Sequence, residues 1–416
     1  MKFIHFADLH IGVDAYAKTE AQTGLDSRLR DFLKALDCLC EVAIQEKVDA
    51  VLFAGDAYKS RDPSQTQQRE LAIRLKRLAE NGITVCLLTG NHDVPYTRGK
   101  ATTLDIFASL SHNNIHVFHK PQCIVIPTRG GNLQICALPW IRRGALAEKE
   151  LNELGVPPNL GQSDLETARI MNLMVQKLVA QATLQPQIPA VLLAHLWAEE
   201  AKSGSERLYS LAGEPRMSAS VLANPAFAYV ALGHIHQMQI LNQEKPPVIY
   251  SGSLERLDFG EEKDDKGFYL VEIKQNKEVV YQFHKLNGRR FVTLNIEVPV
   301  EDEDPLPTII DGITRNSSLI SEAIVRLIIK LNAAHSVVLK DHAAIREALK
   351  STHNFVLIRD VPRSSHVRLQ GLKAEEITPQ AALSEYLRRQ EQLGFETKEK
   401  LMRLGQQIIE ECCQDR

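Results

Sequence analysis

Five short segments of this chain carry side chains able to bind divalent cations: Asp8-Leu9-His10, Gly55-Asp56, Gly90-Asn91-His92-Asp93, His195, and Gly233-His234-Ile235-His236. Singly they say little. An acidic residue two positions from a histidine is a common accident, Gly-Asp is commoner still, and a lone histidine after an apolar strand ordinarily packs in the core or closes a strand end. Gly90 and Asn91 suit a tight turn that presents the neighbouring side chains. In an extended segment His234 and His236 fall on the same side. Together the segments make a mixed set of carboxylate, amide and imidazole donors, which suits manganese or iron better than an all-oxygen magnesium site. The chemistry open to such a set is metal-assisted hydrolysis.

Each segment follows a short apolar run. Lys2 to Ala7 leads into Asp8, Ala50 to Ala54 into Asp56, Ile83 to Thr89 into Asn91, Ala190 to Ala194 into His195, and Phe227 to Leu232 into His234. Runs of this length without clean alternation read as strands buried on both faces. Ligands of such sheets gather beyond the carboxyl ends of the strands, so the five runs point to one place. Helical patterns lie between them: Leu29, Phe32, Leu33, Leu36, Leu39 and Ala43 form one stripe, Leu71, Leu75 and Leu78 another. A third helix is expected from Ser163, with Glu166 completing a capping box. This ordering is that of layered α/β structure.

Further strands are expected at Gly267 to Ile273 and Val279 to Phe283, closing a first domain over residues 1–285. Phe291 to Val298, an acidic loop from Glu301 to Pro305, a strand at Ala323 to Leu331, a helix near Asp341 to Lys350 and a strand at Phe355 to Arg359 make a small α/β domain over 286–360. Residues 361–377 read as a polar linker. Thr378-Pro379 supplies an N-cap and a first-turn proline for the first helix of a segment over 378–416. Gly394 ends that helix, and a second offers Leu401, Leu404 and Ile408 on one face.

The order of the five segments and their strand-end positions resemble the calcineurin-like metallophosphoesterases. That resemblance implies an α/β layered metallophosphoesterase sandwich, here with a small α/β capping domain and C-terminal helices. It also implies two divalent ions, with manganese expected, about 3.5 to 4 Å apart, holding the nucleophilic water and the phosphate oxygens. Asp8, His10 and His236 would complete the first metal with a bridging Asp56, and Asn91, His195 and His234 the second. His92 would face the scissile phosphate without binding metal and assist the leaving group, with Asp93 as its orienting partner.

Protein phosphatases of the superfamily carry an acidic-arginine-glycine signature after the second motif, whereas this chain has Gly55-Asp56-Ala57-Tyr58-Lys59-Ser60-Arg61-Asp62, and Asp93 stands where they have glutamate. The segments Phe3 to Gly12, Ala54 to Asp56, Leu88 to Asp93, Ala231 to His236 and Tyr250 to Ser253 are instead similar to the SbcD family of prokaryotic break-repair nucleases. That likeness is strongest over residues 1–120 and 190–260. It implies a manganese-dependent DNA exonuclease and endonuclease of repair and recombination. The enzyme would act as a homodimer within a heterotetramer with SbcC, an ABC-type ATPase with a long coiled coil. The cap would contact DNA and relay the ATPase's nucleotide state, and the C-terminal helices would dock on the coiled coil. Lys59 departs from relatives that carry a histidine there. A nucleotide or small-molecule phosphodiesterase of the same superfamily is the alternative, and a non-catalytic scaffold on the same fold a third reading that the complete ligand set disfavours.

Composition agrees with a soluble globular protein. The 416 residues are 44% hydrophobic and 24% charged, with a net charge of −3. No apolar run approaches the roughly 20 residues of a membrane span, and the N-terminus lacks the features of a secretory signal. A cytoplasmic, nucleoid-associated protein is expected. An acidic balance makes any DNA surface local or shared with a partner. Seven cysteines without a C-x-x-C pair give neither a disulfide framework nor a zinc ribbon. His5 is expected to be packed, and His112, His116 and His119 to be structural or solvated, without acidic partners. Arg142-Arg143 and Arg289-Arg290 are candidate phosphate contacts. The stripe of Leu71, Leu75 and Leu78, with Leu104, Phe107 and Leu110, is a candidate dimer surface.

Overall fold

The computed structural model describes residues 1–20, 24–95, 97, 99–110, 112–142, 163–204, 214–332, 335, 343–361, 378–388 and 395–414. Arg143, Gly394 and nearly all of the expected linker lie outside them. The chain divides into two compact units, one of Met1–Leu294, Ile313–Leu327 and Arg346–Leu357, the other of Asn295–Gly312, Ile328–Ile345 and Ile358–Arg416.

The first unit holds two six-stranded sheets. One contains β1 (Lys2–Phe6), β2 (Ala50–Phe53), β3 (Thr84–Leu88), β4 (Ile115–Phe118), β13 (Gly267–Ile273) and β14 (Val279–Lys285), in the order β14-β13-β1-β2-β3-β4. The other contains β5 (Gln122–Thr128), β6 (Gly131–Leu138), β7 (Ala190–His195), β10 (Tyr229–Gly233), β11 (Gln239–Asn242) and β12 (Val248–Tyr250), in the order β11-β12-β10-β7-β6-β5. A short pair, β8 (Trp197–Ala198) and β9 (Arg216–Met217), lies beside the second. The strands that lead into the five segments are parallel neighbours: β1 to β2 to β3 in one sheet, β7 to β10 in the other.

Side chains alternate across these strands with period two, and both faces are covered. Phe3, Leu52 and Cys86 from the first sheet meet Ile135, Val191 and Ala231 from the second in a shared core. Ile4, Phe6, Val51 and Val85 turn the other way, under α1 (Ser27–Gln45) and α2 (Gln65–Glu80). Leu192, Ala194, Val230 and Leu232 pack with Ile170, Met174 and Leu178 of a helix over Asp164–Ala182. The result is helix, sheet, sheet, helix, the layered α/β expectation. The capping box forms as well, with Ser163 Oγ accepting from the Glu166 amide at 3.2 Å and Glu166 accepting from the Ser163 amide at 3.1 Å.

One expectation is overturned. Leu71, Leu75 and Leu78 are buried in the core beneath α2, as are Leu104 and Phe107, so the stripe faces home and not a second copy; of that set only Leu110 is exposed, at 69%. Leu75→Glu should therefore give aggregated or unfolded protein, not a soluble monomer. Losing a buried leucine alone costs about 2–5 kcal/mol, and an unpaired carboxylate adds to it. Sedimentation beside a circular-dichroism melt separates the outcomes.

The sequence reading assigns no element to residues 306–322, where the structure forms the helix Leu306–Arg315. Thr308, Ile309, Ile310, Ile313 and Thr314 are β-branched, and Gly312 is a poor helix former. Pro307 sits in the first turn, where proline is tolerated. Ile309 and Ile313, one turn apart, are both completely buried, and this burial overrides weak propensity. A Cβ on Gly312 would come within 2.8 Å of Ile296 Cδ1, so glycine permits the close approach.

A third sheet has the order β15 (Phe291–Glu297), β16 (Ile324–Lys330), β17 (Asn354–Asp360), close to the expected bounds. Thr378 Oγ1 caps the helix Pro379–Arg388 by accepting from the Ala381 amide at 3.2 Å. Gly405 lets the helix Phe395–Gln414 lie close to Leu383. Tyr386, Leu401, Leu404 and Ile408 remain exposed on this pair. Among the described residues no helix is long and apolar enough to cross a membrane.

Candidate metal centre

The five segments meet where the parallel strands of both sheets end. Strand geometry stops before Asp8, Asp56, Asn91 and His234, where the backbone turns sharply, whereas His195 is the last residue of β7. Asp8, His10, Asp56 and His234 all have left-handed φ, at 51°, 46°, 63° and 103°. For non-glycine residues that conformation carries strain of order 1–3 kcal/mol each, tolerable only where the surroundings over-determine it. Here the surroundings do. The Asp8 amide donates to Gly55 O at 3.0 Å, the His10 amide to Asp56 O at 3.1 Å, and the His234 amide to Asp8 Oδ1 at 3.0 Å. The expectation that His234 and His236 share one side of extended chain fails, since β10 ends at Gly233 and His234 turns away from strand geometry.

Two glycines are required by proximity. Gly55 has φ of 99°, and a Cβ on it would lie 2.4 Å from His195 Nδ1; one on Gly90 would lie 2.1 Å from Asp56 Oδ1. Glycine before Asp56 and before Asn91 thus lets these loops close on one another.

His195, His234 and His236 are each oriented by the nitrogen that faces away from the cluster. His195 Nδ1 meets Ala54 O at 2.7 Å, leaving Nε2 2.9 Å from Asn91 Oδ1. His234 is reversed: Nε2 meets Glu214 Oε2 at 3.1 Å, and Nδ1 faces Asn91 Oδ1 at 3.1 Å. His236 Nδ1 meets Glu261 Oε1 at 2.8 Å, and its Nε2 lies 3.0 Å from His10 Nε2. Asp56 Oδ1 accepts from the His92 amide at 2.8 Å, while Oδ2 lies 3.6 Å from both His10 Nε2 and His195 Nε2. The free lone pairs therefore converge on Asp56 from two sides. Ligand atoms of Asp8, His10 and His236, of Asp8, Asp56 and His195, and of His10, Asp56 and His92 each lie within 4.8 Å of one another.

Electrostatics explains what such a cluster needs. Burial holds His10 well below the ordinary imidazole range and His195 down to about 4, so both are neutral with a lone pair to give. Burial, with the neighbouring Asp56 charge, pushes Asp8 up to about 7, although His236 and the His234 amide pull the other way. Asp93 rises to about 7 through burial and the same Asp56 charge. Burial opposes ionisation of Asp56 too, but His195, His92 and His10 together hold it below the carboxylate range. Crowded carboxylates and imidazoles, with His10 Nε2 and His236 Nε2 3.0 Å apart, make a donor set that positive charge reconciles. The residues fit divalent cations. His10, Asp56, Asn91, His234 and His236 line a cleft of about 240 Å³ together with Lys59, His92, Val13, Ala15, Tyr16 and Leu257.

Several expected roles change. Asp93 does not orient His92; its carboxylate accepts from the amides of Gly90, Asp56 and Ala57 and from Thr103 Oγ1, holding the loops together. His92 is oriented by the Lys59 carbonyl, 2.8 Å from Nδ1. Arg289 is no phosphate contact, because Asp31 grips its guanidinium at 2.6 and 2.8 Å. Arg290 donates to Ser321 O. His119 does have an acidic partner, Asp105, at 3.3 Å. His5 is packed as expected, bridging Tyr229 OH and Leu232 O. Glu214, Glu261, Lys266 and Trp140, which stacks beside His234, carry no signal in sequence.

Residues 1–238 match the family model described as calcineurin-like phosphoesterase. The SbcD component of the SbcCD nuclease from Rhodobacter capsulatus is 28% identical over 285 residues, 66% of each chain. The DNA double-strand break repair protein Mre11 of Methanocaldococcus jannaschii is 26% identical over 304 residues, 71% of this chain and 70% of that one. The uncharacterized metallophosphoesterase YhaO of Bacillus subtilis is 28% identical over 290 residues, 68% of this chain and 60% of its own. The alignments span about two thirds of these relatives.

Proposed function

The chain belongs to the calcineurin-like phosphoesterase family, and from that premise we propose that it is a manganese-dependent DNA exonuclease and endonuclease acting on ends and hairpins. The observation that carries the reading is Asp56 Oδ2, equidistant at 3.6 Å from His10 Nε2 and His195 Nε2, one from each half of the ligand set. A carboxylate so placed would serve two cations at once. Asp8, His10 and His236 would complete one cation's ligands and Asn91, His195 and His234 the other's. When bound, the two ions supply an activated water and neutralise charge on the phosphate.

The chain's own residues do the rest. Ala54 O, Glu214 and Glu261 fix the ring nitrogens that face the cluster, so no reorientation is needed when substrate arrives. His92, with Nδ1 held by Lys59 O, keeps Nε2 for the cleft and can pass a proton to the leaving oxygen. The names of the SbcD and Mre11 relatives favour DNA as the substrate. By the same likeness, the chain works in repair and recombination in the cytoplasm, near the nucleoid, as a homodimer with an SbcC-type ATPase. In this reading residues 1–285 form the nuclease domain, 286–360 the cap and 361–377 the linker. Residues 378–416, where Leu401, Leu404 and Ile408 are exposed, meet the ATPase.

End-labelled duplex and hairpin DNA with manganese, with and without the ATPase, tests the proposal against bis-p-nitrophenyl phosphate in parallel. Manganese-dependent shortening of the DNA supports it. Turnover of the chromogenic diester with intact DNA would assign the cleft to a nucleotide or small-molecule phosphodiesterase, a reading the likeness to YhaO keeps in view.

A further inference from the structure

Lys266 is completely buried, and its ammonium meets three acceptors: Glu261 Oε2 at 2.8 Å, His236 O at 2.9 Å and Ser253 Oγ at 2.9 Å. Glu261, 1% exposed, divides its carboxylate. Oε2 takes the lysine and the Leu257 amide at 3.0 Å, and Oε1 takes His236 Nδ1 at 2.8 Å. Ser253 Oγ in turn donates to Glu255 O, anchoring the turn after β12. One lysine therefore holds the backbone of residue 236 and, through Glu261, the ring of the same residue. A buried ion pair seldom stabilises a fold more than apolar side chains of similar volume would, so its presence calls for another account.

We infer that Glu261 and Lys266 are a positioning relay that locks the His236 ring in its Nδ1–H tautomer with Nε2 turned to the metal centre. The inference rests on the proposed ligand role of His236. Lys266 fixes the carboxylate, the carboxylate fixes the proton on Nδ1, and the proton's location leaves the lone pair on Nε2. Partners of this kind behind a ligand histidine typically contribute about 10–100-fold in metal affinity. The backbone contact to His236 O keeps the ring from swinging as a unit with its loop.

The test uses the full chain as Glu261→Gln, Lys266→Met and the double variant. Manganese binding is followed by titration calorimetry, and the His236 tautomer by nitrogen-15 histidine spectra of the metal-free protein, the resonance being assigned by its loss in His236→Gln. Wild type should show Nδ1–H, and Glu261→Gln a mixture with manganese affinity about 10–100-fold weaker. The double variant removes both charges of the Glu261–Lys266 pair and leaves Asp264, 3.6 Å from Lys266 Nζ, with its Gln237 contact. It should recover the wild-type melting temperature while manganese affinity stays weak. Recovery of both would reduce the pair to a folding element, and an Nε2–H tautomer in wild type would sink the relay outright. If Lys266→Met fails to fold, the isosteric Glu261→Gln still decides. Should wild type bind no manganese, the ligand role of His236 fails separately, while the spectra still report whether Glu261 sets the tautomer.

Discussion

Asp56→Ala is expected to lose manganese and cleavage together, with the single-turnover rate falling by about 10³-fold or more. Stabilisation by the cations is worth several kcal/mol in the transition state, and each ~1.4 kcal/mol is tenfold in rate. Oδ2 of Asp56 faces both halves of the ligand set, and Oδ1 holds the His92 amide. Removing the carboxylate strips both halves of their shared negative charge and releases the turn that carries His92. Metal content by mass spectrometry beside cleavage on one preparation checks the claim. A variant that keeps two ions per chain would end the bridging assignment.

His92→Gln should separate chemistry from metal assembly. The contact between residue 92 and Asp56 is made by a backbone amide, which the substitution retains. Two-metal occupancy and DNA affinity are therefore expected to persist while the rate falls by about 10²–10⁴-fold, the scale of a lost general acid. The ring also lies within ligand distance of His10 and Asp56, so the competing outcome is concrete. Loss of one ion from His92→Gln would make His92 a ligand, or a support on which a ligand depends.

The two results bear on different parts of the sequence reading. Strand-end placement of Asp8, Asp56, Asn91, His195 and His234 was legible because apolar runs and glycine punctuation are local properties. The layered fold followed from the same runs, since strands covered on both faces leave little choice of architecture. Leu71, Leu75 and Leu78 show the limit of a stripe: periodicity says that a face is covered, never by what. The helix Leu306–Arg315 shows the limit of propensity, which burial of Ile309 and Ile313 outweighs.

Residue type and short-range pattern account for the inventory of donors and the order in which strands deliver them. Packing in three dimensions settles which atom of each donor faces the cluster. Ala54 O selects Nε2 of His195, Glu214 selects Nδ1 of His234, and Glu261 with Lys266 selects Nε2 of His236. Lys59 O takes the place beside His92 that adjacency suggested for Asp93. These partners lie 20 to 141 residues from the histidines they orient. A hydrogen bond acts over about 3 Å of space and carries no period along the chain. Only the meeting of the two sheets and their loops brings such pairs within reach.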